Sequence, residues 1–301
     1  MTYSALILRA QVVQAIRQFF MERGFLEVET PLLIPANAPE EHIDPIPALP
    51  SWQLQTSPEI CMKRLLCRGH QRIFQISHCW RADERGSRHL TEFTMLEWYR
   101  ADADYHTLME DCVGLLQRVA QQCTTDGKFT RFGKKIDPMP EWELFSVQEA
   151  FLRFAQADAL VSYENGLFDE LLVSRIEPAL EQFSVPVILA DYPAELAALS
   201  RIKTDDSRYA ERFELYLAGL ELANGFSELN DPREQRARFE ETNQRRFAAG
   251  RSTLPLPERF LNELSAMPPS AGIALGVDRL VMLTAGVDTI DEVVAFRPEE
   301  L

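Results

Sequence analysis

The stretch WRADERGSRHLTEFTMLEWY, residues 80–99, joins a short basic segment to residues that alternate between apolar side chains and carboxylates. The alternation predicts a β-strand, and its period of two places four side chains on one face: Phe93, Met95, Glu97 and Tyr99. An aromatic ring, a carboxylate and a phenol on one face, next to a basic loop, indicate a site for a molecule with a phosphate end and an amine end.

The basic segment supplies groups suited to the phosphate end. Arg81 shares a face with Asp83 if the preceding strand continues, and Arg88 and His89 follow in a loop. The planar guanidinium of arginine donates two parallel hydrogen bonds to a phosphate or a carboxylate. The ring of Phe93 offers a stacking surface for a base. The alternative interpretation is a surface hairpin whose charges are solvated.

Composition bounds the class of protein. The 301 residues are 46% hydrophobic and 26% charged, as in an ordinary globular protein. The formal net charge of −15 argues against a broad nucleic-acid-binding surface. No apolar run reaches the length of a membrane span, and the start lacks the pattern of a signal peptide. Five cysteines without a CxxC pair favour reduced thiols in the cytoplasm.

Periodicity along the chain indicates an α+β fold with an antiparallel β-sheet flanked by helices. Helices are predicted over 5–20, 57–69, 105–123, 146–182 and 232–250, and a loop over 36–51. Strands are predicted over 72–80 and 185–193, with two more in 208–230 that have turns at Gly219 and Asn224-Gly225. Hairpin turns separate the strands as often as helices do, which favours antiparallel pairing. We expect one catalytic domain over 1–301, with a helical insertion around 146–182.

An acidic cluster lies in the predicted strands of 208–230. Asn224, Phe226 and Glu228 share a face by the period of two, whereas Glu221 is out of phase with them. A bulge or turn near Asn224 is therefore needed to bring Glu221 to that face. Together with Glu214, it offers two carboxylates, a donor set that suits Mg²⁺ between protein acids and substrate phosphates. The alternative is a solvated acidic face.

The segment GIALGVDRL, residues 272–280, is a candidate anion site. Its small residues allow a ligand to approach the backbone closely, and the start of the following helix offers free N–H groups. Arg279 adds a cation in the first turn of that helix. The alternative is tight packing of a strand against a helix.

Taken in order, these segments resemble the signature motifs of class II aminoacyl-tRNA synthetases, in the lysyl branch. Residues 23–31 (RGFLEVETP) resemble motif one, residues 81–97 motif two and residues 272–279 motif three. Residues 56–59 (TSPE) and 221–229 (ELANGFSEL) resemble the segments that form the lysine pocket. The resemblance covers nearly the whole chain. It implies a class II catalytic core that uses ATP and Mg²⁺.

The resemblance also implies a set of residues for ATP: Arg81, Asp83, His89, Phe93 and Arg279. Arg81 would bind the α-phosphate and the substrate carboxylate, and with Arg279 it is the expected catalytic residue. His89 and Arg279 would hold the outer phosphates and Phe93 would stack on adenine. Asp83 stands where the family has a glutamate that reads the adenine amine, although Glu84 follows it. The expected Mg²⁺ ligands are Glu214 and Glu221.

The substrate residues that the resemblance implies are Glu59, Glu97, Tyr99, Asn224, Phe226, Glu228 and Ala274. Glu59 would meet one amine, Glu228 and Tyr99 the side-chain amine, and Asn224 the carboxylate. Ala274 stands where the lysyl-tRNA synthetases have glycine. A methyl group in the pocket shifts discrimination by roughly 1–3 kcal/mol, enough to change the preference between α- and β-lysine. The alternative is that Ala274 is a packing variant.

The resemblance also implies a protein partner, because one domain of the lysyl-tRNA synthetases has no counterpart in this chain. Motif one begins near residue 23, so no N-terminal anticodon-binding domain fits before it. This architecture resembles the ligases that attach lysine or (R)-β-lysine to a lysine of elongation factor P, and tRNA is not an expected substrate. Motif one implies a homodimer, with Phe25 and Val28 in a strand against the partner. The alternatives are a compact lysyl-tRNA synthetase that borrows an anticodon-reading domain and a non-catalytic paralogue.

Overall fold

A computed structural model describes residues 3–301 of the chain. The α-helices are α1 (Tyr3–Glu22), α2 (Glu59–Leu66), α3 (Tyr105–Cys123), α4 (Val147–Ala150), α5 (Ala159–Glu164), α6 (Phe168–Leu171), α7 (Glu177–Leu180), α8 (Pro232–Ala248), α9 (Glu258–Glu263) and α10 (Val277–Ala285). The β-strands are β1 (Leu26–Glu27), β2 (Leu33–Ile34), β3 (Pro47–Leu49), β4 (Trp52–Leu54), β5 (Arg72–Trp80), β6 (Glu92–Ala101), β7 (Phe129–Arg131), β8 (Lys134–Ile136), β9 (Glu143–Ser146), β10 (Val187–Pro193), β11 (Tyr209–Leu217), β12 (Leu220–Ser227) and β13 (Ser270–Gly276). Shorter π-helical and 3₁₀ turns are Phe151–Ala155, Leu172–Ile176, Ala194–Leu196, Leu264–Ala266, Ile290–Glu292 and Pro298–Glu300.

An eight-stranded sheet organises the chain in the order β1-β5-β6-β13-β12-β11-β10-β9. The six inner strands pair antiparallel, whereas β1 and β9 pair parallel at the two edges. Helices cover both faces of this sheet. The predicted α+β class with an antiparallel sheet flanked by helices is confirmed.

One face of the sheet is packed by α1, α3 and α10. Side chains from these helices and from the strands form a continuous apolar core; fully buried members include Phe19, Phe20, Trp98, Leu115 and Leu280. Helix α3 is fixed at its start because the Asp104 side chain accepts hydrogen bonds from the N–H groups of His106 and Thr107. Burial of one large apolar side chain contributes about 1.5–3 kcal/mol, so this face supplies much of the stability.

The opposite face is covered only at its two ends. Around one end, α2, α8 and α9 pack through Met62, Phe239 and Phe260. Around the other, the helical segment 147–180 packs on β10 and β11 through a separate cluster that includes Phe151 and Tyr216. The middle of this face, over β6, β13 and β12, stays open. This opening is where the candidate site lies.

Two local predictions differ from the structure. The turn at Gly219 is confirmed, with φ of +69° at that glycine, but Asn224-Gly225 lies inside β12 and makes no turn. Both neighbouring strands pair with β12 at this point, so the ladder overrides the turn preference of an Asn-Gly pair. The predicted loop over 36–51 also contains β3, which joins a small sheet in the order β2-β4-β3.

None of the helices within residues 3–301 combines the length and the apolar character that crossing a membrane requires.

Candidate active site

A cavity opens on the uncovered middle of the sheet, and β6 forms its floor. Phe93, Met95, Glu97 and Tyr99 all line it, which confirms the face predicted from the period of two. Strand β13 lies beside β6, with Gly272 opposite Tyr99 and Ala274 opposite Glu97. Every predicted site residue lines this one cavity except three: Asp83, Glu214 and Glu228.

The mouth of the cavity is basic. Arg81, Arg88 and Arg279 line it, together with His89. The Arg81 guanidinium lies 5.1 Å from the centroid of the Phe93 ring, and its Nε atom is buried with no hydrogen-bond partner among the described residues. An unpartnered buried donor is unfavourable unless a ligand supplies the acceptor. This end is therefore suited to an anion beside a flat ring.

Arg279 is fixed by its neighbours in the first turn of α10. Its Nη1 donates to the backbone carbonyl of Glu221 at 2.7 Å, and its Nη2 lies 2.6 Å from Nε2 of His89. Partial burial and then the charge of Arg279 lower the pKa of His89. The imidazole is therefore neutral near pH 7 and accepts from Arg279. The mouth accordingly carries arginine cations and a neutral histidine.

The prediction for Asp83 is wrong in its geometry. Strand β5 ends at Trp80, and Asp83 is an exposed residue with φ of +61° that does not line the cavity. Glu84 lines the cavity instead, with a carboxylate oxygen 3.7 Å from Nη1 of Arg81. The chain turns after β5, and Glu84 therefore lies at the cavity in the place expected of Asp83.

The bulge that Glu221 requires is present but lies earlier than predicted. Tyr216 pairs with Glu221 and Leu215 pairs with Ala223, so Leu222 is the extra residue on β12. The insertion brings Glu221 to the cavity face, in phase with Asn224.

Glu214 is buried and does not line the cavity. Its carboxylate accepts from the hydroxyl groups of Tyr192 and Tyr216 and from Arg212, each at 2.6 Å. Burial, followed by the negative charge of Glu221, raises the pKa of Glu214. Over residues 3–301, no group of three or more acidic, histidine or cysteine side chains has the arrangement of a metal site. Two carboxylates that repel each other fit Mg²⁺, which takes its remaining ligands from phosphates and water.

The deep end of the cavity is acidic. Glu97 is buried and accepts from the hydroxyl groups of Ser57 at 2.6 Å and Tyr99 at 2.7 Å. Glu59, in the first turn of α2, lines the same end. Burial, followed by the charge of Glu59, raises the pKa of Glu97 to about 8. The two carboxylates therefore form a slot that favours a cation.

Glu228 lies one layer below the slot, beside a lysine that the sequence analysis did not identify. Lys63 is fully buried, pairs with Glu59 on its own helix, and places Nζ 2.5 Å from Oε2 of Glu228. Burial raises the pKa of Glu228 to about 8, although Lys63 acts in the opposite direction. Within residues 3–301 neither oxygen of Glu228 has a hydrogen-bond partner, so the contact of Oε2 with Lys63 is an ion pair.

Gly272 separates Glu228 from the cavity. A Cβ atom at this position would lie 2.2 Å from the Tyr99 ring and 2.3 Å from Oε1 of Glu228. Only glycine therefore allows Tyr99 and Glu228 to approach the floor this closely. Ala274, two residues later, presents its methyl group to the cavity.

The loop before β3 forms a wall that the sequence analysis did not assign to the site. Glu40 and Ile43 line the cavity. The fully buried Arg246 of α8 holds this loop by donating to the backbone carbonyls of Glu40, Glu41 and Ile43. The sequence offers no periodic signal for this contact, because the two segments are about two hundred residues apart.

Comparison with known proteins agrees with this architecture. The family described as tRNA synthetases class II (D, K and N) matches residues 1–300. Curated relatives named elongation factor P--(R)-beta-lysine ligase include one from Proteus mirabilis (strain HI4320), 40% identical over 308 residues, which cover 97% of this chain and 94% of the relative. One from Avibacterium paragallinarum is 40% identical over 311 residues, 98% of this chain and 95% of the relative. One from Vibrio atlanticus (strain LGP32) is 40% identical over 304 residues, 96% of this chain and 94% of the relative. The chain therefore belongs to the class II tRNA synthetase family (D, K and N), among relatives named elongation factor P--(R)-beta-lysine ligase.

Proposed function

We propose that the chain uses ATP to activate a diamino acid, (R)-β-lysine or lysine, as its adenylate and transfers the acyl group to a lysine ε-amine of elongation factor P. The observation that carries the proposal is the distribution of charge in one cavity. Arginines line its mouth, whereas its deep end holds buried carboxylates in excess over cations. ATP bound beside a diamino acid would place phosphates against the arginines and ammonium groups against the carboxylates.

The charge at the deep end can be counted. Glu59, Glu97 and Glu228 bring three negative charges when ionised, and Lys63 brings one positive charge. Two negative charges remain, which equals the charge of the two ammonium groups of a diamino acid. An amino acid with one ammonium group would leave one of these acids without a cationic partner, and ionising that buried acid would then be unfavourable by several kcal/mol.

The first step needs positioning and electrostatics without a protein nucleophile. An oxygen of the substrate carboxylate attacks the α-phosphorus of ATP, the bond between the α- and β-phosphates breaks, and pyrophosphate leaves. Arg81 and Arg279, which line the cavity, would stabilise the negative charge that develops on the phosphates. In the second step the neutral ε-amine of the acceptor attacks the acyl carbon, AMP leaves with the electrons of the broken bond, and the new amide loses a proton to solvent.

Further side chains of the cavity have parts in this proposal. Phe93 stacks on adenine, with the Arg81 guanidinium on the same ring, and Glu84 takes the adenine contact expected of Asp83. Asn224 orients the substrate carboxylate, and Phe226 and Ala274 shape the aliphatic part of the pocket. Tyr99 closes the amine end beside Glu97.

Mg²⁺ belongs to the proposal through Glu221 and Glu214. Glu221 faces the cavity, and Glu214 lies near enough for the charge of Glu221 to raise its pKa. A bound Mg²⁺ would neutralise phosphate charge and remove this repulsion between the two carboxylates.

We also propose a homodimer. The motif-one residues Phe25 and Val28 are buried and partly buried in this chain, so they do not offer the contact expected of them. Leu26 and Leu32 in the same segment are exposed by 53% and 41%. Sedimentation equilibrium should show a dimer, and Leu26→Lys should shift it towards monomer. A monomeric native protein would refute this part.

The acceptor is tested by competition. The protein, ATP, Mg²⁺ and (R)-β-lysine or lysine are incubated with elongation factor P and tRNA together, and the intact mass of the factor is measured. We expect one acyl addition per factor and uncharged tRNA. The variant Arg81→Ala is the matched control and should give no addition. Charged tRNA beside an unmodified factor would contradict the proposal and favour a compact lysyl-tRNA synthetase.

A further inference from the structure

Lys63 is the only lysine with a fully buried side chain at the deep end of the cavity, among the residues described there. It lies one helical turn after Glu59 on α2, pairs with Oε1 of that residue, and reaches Oε2 of Glu228, the residue that follows β12. Its Nζ is 5.1 Å from the centroid of the Phe226 ring. Lys63 does not itself line the cavity, so it does not meet a ligand directly.

Each of the two acids contacts Lys63 through one oxygen, Oε1 of Glu59 and Oε2 of Glu228. Oε1 of Glu228 has no hydrogen-bond partner within the described part of the chain, and it lies against Gly272 at the cavity floor. Glu59 pairs with Lys63 through Oε1 and lines the cavity. The lysine thus links a helix to a strand and leaves an acceptor oxygen on each acid.

A purely stabilising role does not explain this arrangement. One buried cation between two carboxylates leaves a net negative charge when both acids are ionised, and Glu97 adds another acid nearby. Buried ion pairs contribute little net stability, because desolvation offsets the attraction between the charges. A buried carboxylate without a cationic partner is destabilising until a second cation binds beside it. The surplus of acceptors therefore points to a ligand ammonium.

We propose that Lys63 is a positioning residue for the amine slot: it pairs with Glu59 and Glu228 and orients one free oxygen of each towards the ammonium groups of the substrate. This inference rests on the proposed function for the identity of the substrate. It adds a residue that touches no reacting atom and acts through the two acids.

The test compares Lys63→Met with the native protein by calorimetry, using lysine and (R)-β-lysine as probes from pH 6.5 to 9. The groups that face Lys63 and its two acids are Glu59, Glu228, Glu97 and Tyr99, and Glu40 faces Glu59 from the loop. Without Lys63 the pKa of Glu228 rises further, so more of this acid is protonated at pH 7. We expect the affinity of Lys63→Met for both amino acids to be at least tenfold lower than that of the native protein at pH 7. The midpoint of the rise in affinity with pH should move to higher pH. ATP affinity should stay within twofold.

Lys203→Met is the matched control, because Lys203 also pairs with a carboxylate, Asp191 at 2.6 Å, but lies outside the cavity. It should change neither the affinity for lysine nor its pH profile. An unchanged affinity and pH profile in Lys63→Met would overturn the inference. A purely structural role would lower stability without moving the pH profile.

A second variant covers the case in which Lys63→Met does not fold. Lys63→Met combined with Glu228→Gln removes the pair together, which buried pairs tolerate better than loss of one partner. If Lys63 acts through Glu228, the double variant should bind lysine as weakly as Glu228→Gln alone, within about threefold. Native affinity in the double variant would overturn the inference. Lysine binding without amino-acid-dependent pyrophosphate exchange would instead refute the proposed function and leave the role of Lys63 standing.

Discussion

Replacing Glu97 by glutamine should stabilise the ligand-free protein at alkaline pH while weakening substrate binding. The side chain is buried, and its pKa is raised from 4.5 to about 8 by burial and then by the charge of Glu59. Between these two values the native state holds a proton that the unfolded chain has lost. The free energy of unfolding therefore falls as pH rises through this interval.

The magnitude follows from the pKa of Glu97. One pKa unit corresponds to about 1.4 kcal/mol, so the raised pKa of Glu97 lowers the free energy of unfolding, relative to acidic pH, by roughly 3 kcal/mol at pH 7 and roughly 4 kcal/mol at pH 8. Glutamine keeps the shape: its oxygen can accept from one of the two hydroxyl groups, Ser57 or Tyr99, and its amide N–H can donate to the oxygen of the other. Glu97→Gln removes this loss, so its stability relative to the native protein should increase by roughly 3–4 kcal/mol as the pH is raised from 5 to 8. Loss of a buried partner for an ammonium group weakens binding by about 2–5 kcal/mol.

The assay is urea denaturation at pH 5, 7 and 8, with lysine calorimetry at pH 8. Glu92→Gln, at the exposed start of the same strand, is the matched control and should show neither effect. The reasoning is refuted if Glu97→Gln and the native protein have the same pH dependence of stability, or if the variant binds lysine with native affinity.

Three further predictions concern the nucleotide end, the floor and the wall of the cavity. Arg279→Ala should lower ATP affinity about 10- to 100-fold and raise the pKa of His89, measured by calorimetry and NMR titration; unchanged values would exclude Arg279 from the phosphate site. Gly272→Ala should abolish lysine binding because its Cβ would overlap the Tyr99 ring, and native affinity would disprove this steric argument. Arg246→Met should destabilise the protein by about 3 kcal/mol in urea, since charged donors to three loop carbonyls are lost; a change below 1 kcal/mol would contradict it.

The parts of the site that follow a short-range period were predictable from the sequence. The face of β6 with Phe93, Met95, Glu97 and Tyr99 needs only the alternation of a strand, and α3 was predicted with the bounds that the structure has. The requirement for a bulge before Asn224 also followed from counting residues. Its position at Leu222 did not, because pairing with β11 decides where the extra residue lies.

The residues that the sequence analysis missed depend on contacts between distant segments. Lys63 follows Glu59 by four residues, a spacing that is common for exposed ion pairs on helices. It is buried because β12 brings Glu228 against it. Gly225 shows the same effect: an Asn-Gly pair favours a turn, yet it lies in a strand where a Cβ would be 2.8 Å from the Phe213 ring. Tertiary contacts therefore determine the structure at these positions.

The position of Asp83 shows how one turn changes an assignment. The alternation of β5 continues to Trp80, and extending it by three residues would place Asp83 towards the site. The chain instead adopts a left-handed conformation at Asp83, which puts Glu84 at the cavity. Strand ends are set by tertiary contacts, such as the hydrogen bond from the Ala82 N–H to the Asp44 carbonyl, that local sequence does not encode.

Amino-acid-dependent pyrophosphate exchange tests most directly the claim that an acidic slot for two ammonium groups adjoins a nucleotide site. The assay compares (R)-β-lysine and lysine with norleucine, which keeps the carbon chain of lysine but lacks its second amine. The account predicts ATP–pyrophosphate exchange with a diamino acid and at least a hundredfold less with norleucine. Equal exchange with norleucine, or none with either diamino acid, would contradict it.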